Sequence, residues 1–188
     1  MLNYNPENTN WKNIENGLQK YLQIMKLVKK SNVQENEDFQ RRFNGFYRVM
    51  KKPRDFYVAL FECIESNKNK EISFEQVLEF FYLKFGKIEA SFSSKVVATI
   101  NPNFPVWDKE VLARLNLKAP SYNIDKKIRF EKIVKTYDDI VIWYVEFLKT
   151  EQARNMIKEF DERIGIYDIA ATKKIDLILW QTRIKTNA

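Results

Sequence analysis

Lys95 and Asp108 are the two residues of this chain whose types and spacing could support chemistry. The lysine lies on a short predicted helix, and a proline-containing turn then leads to the aspartate at the start of the next helix. A partly desolvated lysine amine is a nucleophile suited to Schiff-base chemistry, and a nearby carboxylate can stabilise positive charge or move a proton. The segment therefore predicts an amine and a carboxylate that face one cleft.

Each of these two residues also has an ordinary structural interpretation. On a helical wheel, Lys95 falls at the border between the apolar arc and the solvent face, where lysines commonly extend their charge into water. With the helix expected to begin at Ser93, the amine would feel the positive end of the helix dipole, which disfavours its charged form. Asp108 is typical of a helix N-cap, which contributes about 1 kcal/mol. The sequence leaves both interpretations open.

The composition removes several classes of active site. The 188 residues include no histidine and a single cysteine, which excludes Ser-His and Cys-His nucleophiles and His- or thiolate-based zinc sites. No glycine-rich phosphate-binding loop is present. We therefore expect neither a metal nor a cofactor, and any chemistry falls to Lys, Asp, Glu, Tyr or Ser. Cys63 lies in the apolar rhythm of a predicted helix and is expected to be a buried core residue.

The apolar residues recur every three or four positions from Trp11 to Trp180, which predicts an all-α protein. Only 4 glycines and 5 prolines interrupt the chain, as expected for helices joined by short connections. We predict one compact domain over residues 1–188, with eight or nine helices. The buried faces are expected to include Met50 and Ile128. Helix ends are marked by Ser73 with Gln76, Asp108 and Asp125 at N-termini and by Gly86 and Gly165 at C-termini.

The charge pattern has two explanations. The formal net charge is +7, and basic residues are grouped at Lys29-Lys30, Arg41-Arg42, Lys51-Lys52 with Arg54, Lys126-Lys127 with Arg129, and Lys173-Lys174. These groups are either solubilising surface residues or parts of a surface that binds phosphate groups of an acidic or nucleic-acid partner.

The longest apolar run is too short to span a bilayer and no leader segment is evident, so we expect a cytoplasmic protein without a membrane partner.

Trp107 lies off the helical stripes, on the connection before Asp108. It could stack on a nucleic-acid base, or it could pack the turn against the core. The phenylalanines and tyrosines at helical spacing are expected to be core residues.

Two segments carry a family resemblance. Ser-Phe-Ser-Ser-Lys-Val-Val-Ala-Thr-Ile at 91–100 and Phe-Pro-Val-Trp-Asp-Lys-Glu-Val-Leu at 104–112 resemble helix-hairpin-helix DNA glycosylases related to 8-oxoguanine glycosylase. Lys95 matches the catalytic lysine of that family, and Asp108 matches its catalytic aspartate. The stretch 174–180 resembles the terminal helix of compact glycosylase-like families. The Ser-Lys, Asn-Pro and Pro-x-x-Asp pattern is also similar to a family of uncharacterised bacterial proteins, for which no activity is implied.

The glycosylase resemblance implies a DNA-binding enzyme that works without a cofactor. Lysine would attack the sugar C1′, a damaged base flipped out of double-stranded DNA would depart, and the carboxylate would stabilise the cationic sugar. The residues expected to contact DNA are Lys87, Ser93, Ser94, Trp107 and Lys109. The alternative is a non-catalytic helical module that binds a protein partner or a second copy of itself, which would fit the absence of histidine and the high aromatic content.

Overall fold

The computed structural model describes residue 2 and residues 4–182. Within these residues the chain forms nine α-helices and one 3-10 turn, and no strand. The prediction of an all-α fold is confirmed. After the turn at Pro6–Asn8, the helices are α1 (Trp11–Lys30), α2 (Glu37–Tyr47), α3 (Arg54–Asn67), α4 (Phe74–Phe85), α5 (Ala90–Ile100), α6 (Lys109–Arg114), α7 (Lys126–Phe147), α8 (Glu151–Ile164) and α9 (Ala171–Gln181).

The chain divides into two compact units. The first unit comprises Met1–Asn16 and Asn103–Ala188, and the second comprises Gly17–Pro102. The prediction of a single domain over residues 1–188 stays a prediction, and residues 1, 3 and 183–188 of that range lie outside the described part. None of the described helices is both long enough and apolar enough to cross a membrane.

The core of the second unit is aromatic. Phe39, Phe43 and Phe81 are fully buried, and edge-on and stacked ring pairs connect α2, α3 and α4. Such pairs contribute roughly 0.5–1.5 kcal/mol each beyond the burial of their area. Phe74 is buried as well, whereas Phe46 and Phe85 are half-buried. The expected role of these stripes as core is confirmed for the four buried rings.

The core of the first unit lies around α7 and α9. Ile133, Tyr137, Ile140 and Tyr144 form the buried face of α7 at helical spacing. All residues of α9 from Thr172 to Leu179 are buried, so this helix has no solvent face over two turns. A helix buried on every side is typical of the centre of a protein rather than its surface.

Most predicted helix ends are confirmed. Ser73 and Gln76 form the expected capping box at the start of α4. Gly86 ends α4 in the left-handed conformation with φ 64°. Asp108 and Asp125 accept backbone N–H groups as N-caps of α6 and α7. These signals are local, which explains why the sequence alone was sufficient to find them.

Two residues predicted to be buried are exposed. Helix α2 ends at Tyr47 because Arg48 adopts a left-handed conformation with φ 53°, and the chain then buries Val49 and leaves Met50 65% exposed. The expected position of Met50 on the buried face was therefore wrong. Ile128 is 48% exposed, since the first turn of α7 is exposed and its packing begins further along the helix, near Ile133.

Candidate functional site

Lys95 lies on α5, which begins three residues earlier than the sequence predicted. The helix starts at Ala90 rather than Ser93, and the N–H groups of Phe92 and Ser93 donate to the carbonyl of Glu89. Lys95 is therefore the sixth residue of the helix and lies in its second turn. Because the effect of the helix dipole is concentrated in the first turn, the expected activation of this amine by the dipole was wrong.

Lys95 lies beside an aromatic ring. Its Nζ lies 4.8 Å from the centroid of the Phe92 ring, and the residue is half-buried. Lys52 Nζ lies 4.7 Å from the same centroid and pairs with Glu89 at 2.5 Å. Phe92 itself packs edge-on against Phe56, with the ring centroids 5.1 Å apart. The ring thus replaces part of the water around Lys95 and holds two amines close to one apolar surface.

Lys95 lies on the second helix of a helical hairpin. Helices α4 and α5 pack against each other and are joined by the four residues 86–89. Gly86 and Lys87 are exposed, and a Cβ added at Gly86 would meet no atom within 4 Å. The turn therefore exposes Gly86 and the cation of Lys87 to solvent, while the Gly86 N–H donates to the carbonyl of Tyr82 and caps α4.

Ser93 and Ser94 are fully buried and serve the helix itself. Ser93 Oγ donates to the carbonyl of Glu89, and Ser94 Oγ donates to the carbonyl of Ser91, each at 3.0 Å. The predicted contact with DNA does not fit this burial. The helix wheel could have shown it, because both serines lie beside the apolar positions Val96 and Val97.

Asp108 acts as the N-cap of α6 and is half-exposed. Its Oδ1 accepts the N–H of Glu110 at 2.8 Å. Trp107, the preceding residue, is only 7% exposed and packs the turn against the core, so it does not present a face for base stacking. Of the predicted DNA contacts near this cap, Lys109 remains accessible, with a side chain that is 89% exposed.

A buried ionic cluster, formed by Lys173, Asp176 and Tyr144, lies in the first unit. Lys173 Nζ lies 2.9 Å from Asp176 Oδ2, and both side chains are 0% exposed. Tyr144 Oη donates to Asp176 Oδ1 at 2.5 Å, so each carboxylate oxygen has a buried donor. The next residue, Lys174, is 7% exposed and pairs with Asp161 at 2.6 Å. The pair Lys173-Lys174 is therefore not part of a phosphate-binding surface, contrary to one of the two explanations of the basic groups.

Tyr144 is the buried hydroxyl of this ionic cluster. Burial, then the charge of Asp176 and its hydrogen bond, then the charges of Asp108 and Tyr137 raise the pKa of Tyr144 well above its usual value. The phenol consequently stays protonated and acts as a hydrogen-bond donor. This cluster was not predicted, although a lysine and an aspartate three residues apart inside an apolar run are a signal visible in the sequence.

Lys95 belongs to the second unit and Asp108 to the first. Their meeting in one cleft stays a prediction.

Among the described residues, no group of three or more His, Cys, Asp or Glu side chains is arranged to hold a metal ion. Comparison of the chain with protein-family models, with curated proteins and with solved structures finds no match.

Proposed function

We propose that the protein binds damaged DNA and removes a base by lysine-dependent glycosylase and lyase chemistry. The observation that carries this proposal is the hairpin formed by α4, residues 86–89 and α5, with a half-buried lysine on its second helix. A formal net charge of +7 supports a nucleic-acid partner. The motif around Lys95 and Asp108 supplies the reaction class.

Lys95 would be the nucleophile. In this reaction its amine attacks C1′ of the sugar, the bond from C1′ to the base breaks, and the base departs with the bonding electrons. Ring opening of the sugar then gives a Schiff base with the lysine. The Phe92 ring limits the water around this amine but attracts its charged form, so attack requires a base that first removes a proton from the ammonium group.

Asp108 would stabilise the positive charge that develops on the sugar. It is half-exposed and uses Oδ1 for the helix cap, so its carboxylate can face a ligand while the helix remains capped. Lys87 on the hairpin and Lys109 after the cap are the exposed cations best suited to contact phosphates.

A borohydride trapping screen tests this proposal. Duplex oligonucleotides with oxidised, deaminated or abasic lesions are incubated with the protein and reduced, and the covalent complex is measured by gel electrophoresis. We expect trapping on at least one lesion, its loss in Lys95→Gln, and unchanged duplex binding by that variant. Lys52→Gln is the matched control, because it removes the other amine on the Phe92 ring and should retain trapping.

The exposed cations are tested separately. Lys87→Gln and Lys109→Gln should weaken binding on every duplex and lower the slope of log affinity against log salt by about 1 each, with trapping retained at saturating protein.

If no lesion traps the wild-type protein, or if Lys95→Gln traps as well as wild type, the glycosylase proposal is wrong. The remaining interpretation is then the non-catalytic helical module.

A further inference from the structure

The first unit contains a cavity of about 940 Å³, bounded by the N-terminal segment, the ends of α6 and α7, and the beginning of α8. Its volume is in the range of small-molecule sites, roughly 300–1,000 Å³. The N-terminal wall is held in place at two points. The backbone N–H and carbonyl of Leu2 bond to the Gln152 side chain at 3.1 and 2.7 Å, and Tyr4 Oη donates to Glu159 Oε2 at 2.9 Å.

The floor of the cavity is aromatic and apolar. Trp143 and Phe147 both line it, and their rings stack with centroids 4.5 Å apart and planes 14° apart. Met156 completes the floor and is buried. Because the two rings stack on each other, a planar ligand would stack on the face of Trp143 that Phe147 does not cover.

The rim of the cavity is acidic. Glu146, Glu151 and Glu159 line it, whereas Arg114 is the single cation among its described lining residues. Arg114 is already engaged, because its Nη2 donates to the carbonyl of Thr182. Two of the carboxylates are also engaged: Glu146 pairs with Lys149 at 2.6 Å and Glu159 pairs with Arg163 at 2.9 Å. Glu151 is therefore the lining carboxylate best placed to meet a further cation. The rim thus has the opposite sign to the net charge of +7 on the whole chain. An aromatic face next to carboxylates attracts a cation by two additive electrostatic effects.

We propose that this cavity binds a small aromatic cation, with its ring on Trp143 and its positive group near Glu151. The cavity is distinct from the site proposed for base excision, because it lies at the C-terminal end of α6 and Asp108 lies at the N-terminal end of that helix. The two proposals therefore stand or fall separately.

Three indole compounds of similar size test the charge requirement: tryptamine, which is a cation, indole, which is neutral, and indole-3-propionate, which is an anion. Binding is followed by NMR of the tryptophan indole N–H signals, with the Trp143 signal identified by its loss in Trp143→Phe. We expect tryptamine to shift the Trp143 signal with a Kd of roughly 1 mM or lower. Its affinity should exceed that of indole-3-propionate by roughly tenfold.

Variants on α8 locate the charge. Glu151→Gln should weaken tryptamine binding roughly fivefold, without affecting indole. Glu162→Gln is the matched control, since Glu162 lies on the same helix, pairs with Lys158 and is not among the residues lining the cavity. Trp143→Leu should abolish binding while the circular dichroism spectrum stays unchanged. The proposal is overturned if none of the three compounds shifts the Trp143 signal, if their affinities are equal, or if the anion binds most tightly.

Discussion

Asp176→Asn isolates the charge of the buried ionic cluster. The asparagine keeps the shape of the side chain and an oxygen that can accept the Tyr144 hydroxyl, but it removes the carboxylate that pairs with Lys173. Both members of that pair are 0% exposed and 2.9 Å apart. Removing one partner of a buried pair costs about 3–5 kcal/mol, because the other charge stays buried without it. Against a typical unfolding free energy of about 5–15 kcal/mol, this loss is large.

Urea unfolding at pH 7, followed by circular dichroism, measures the effect. We expect Asp176→Asn to lower the unfolding free energy by about 3–5 kcal/mol, and the double variant Lys173→Met with Asp176→Leu to lose less, since no unpaired charge remains. Glu146→Gln is the matched control. It breaks an ion pair with Lys149 whose side chains are 64% and 65% exposed, and should change stability by less than about 1 kcal/mol. A similar small effect of Asp176→Asn would refute the reasoning.

Burial raises the pKa of Cys63 to about 12, so the thiol should react slowly with thiol reagents at pH 8 in the folded protein; fast reaction would contradict its burial. Because its folded pKa is raised, the stability it contributes is complete below the unfolded pKa, near 8.5, and is lost as pH rises toward 12, at up to about 1.4 kcal/mol per pH unit. Urea titrations from pH 8 to 10 measure how steeply the unfolding free energy falls with pH, and Cys63→Ala should make this fall less steep. Gly86→Ala places a side chain at φ 64° and should cost about 1 kcal/mol in thermal unfolding; no loss would refute the need for glycine there. Asp108→Ala should cost about 1 kcal/mol and Asp108→Ser much less, and equal losses would exclude the cap as the cause.

The helices were largely predictable because their signals are local. Ser73 with Gln76, Gly86 and Asp125 each lie where a helix begins or ends. The start of α5 was missed because its N-cap, Glu89, makes no side-chain capping bond. The end of α2 was missed because a left-handed arginine, Arg48, stands where glycine is usual.

The environment of the candidate site was less accessible to sequence reasoning. Adjacent lysines normally lie in solvent. The carboxylate that pairs with buried Lys173 belongs to Asp176, and its other oxygen accepts from Tyr144, which lies 32 positions from Asp176 on another helix. The pairing of Lys52 and Lys95 on the Phe92 ring likewise depends on how distant segments pack. The helical wheel placed Lys95 at the border between the apolar arc and the solvent face, and the residue is half-buried in the structure.

Because α9 is buried on every side, apolar packing alone does not fix its rotation about its own axis. An amphipathic helix is oriented by its single apolar stripe, but all residues from Thr172 to Leu179 are buried, and hydrophobic contact alone would accept several angles. The bond from Tyr144 to Asp176 and the pair between Lys174 and Asp161 are satisfied at only one of them. We expect these polar contacts to fix the rotation of α9 about its axis, since any other angle would leave charges unpaired inside the protein.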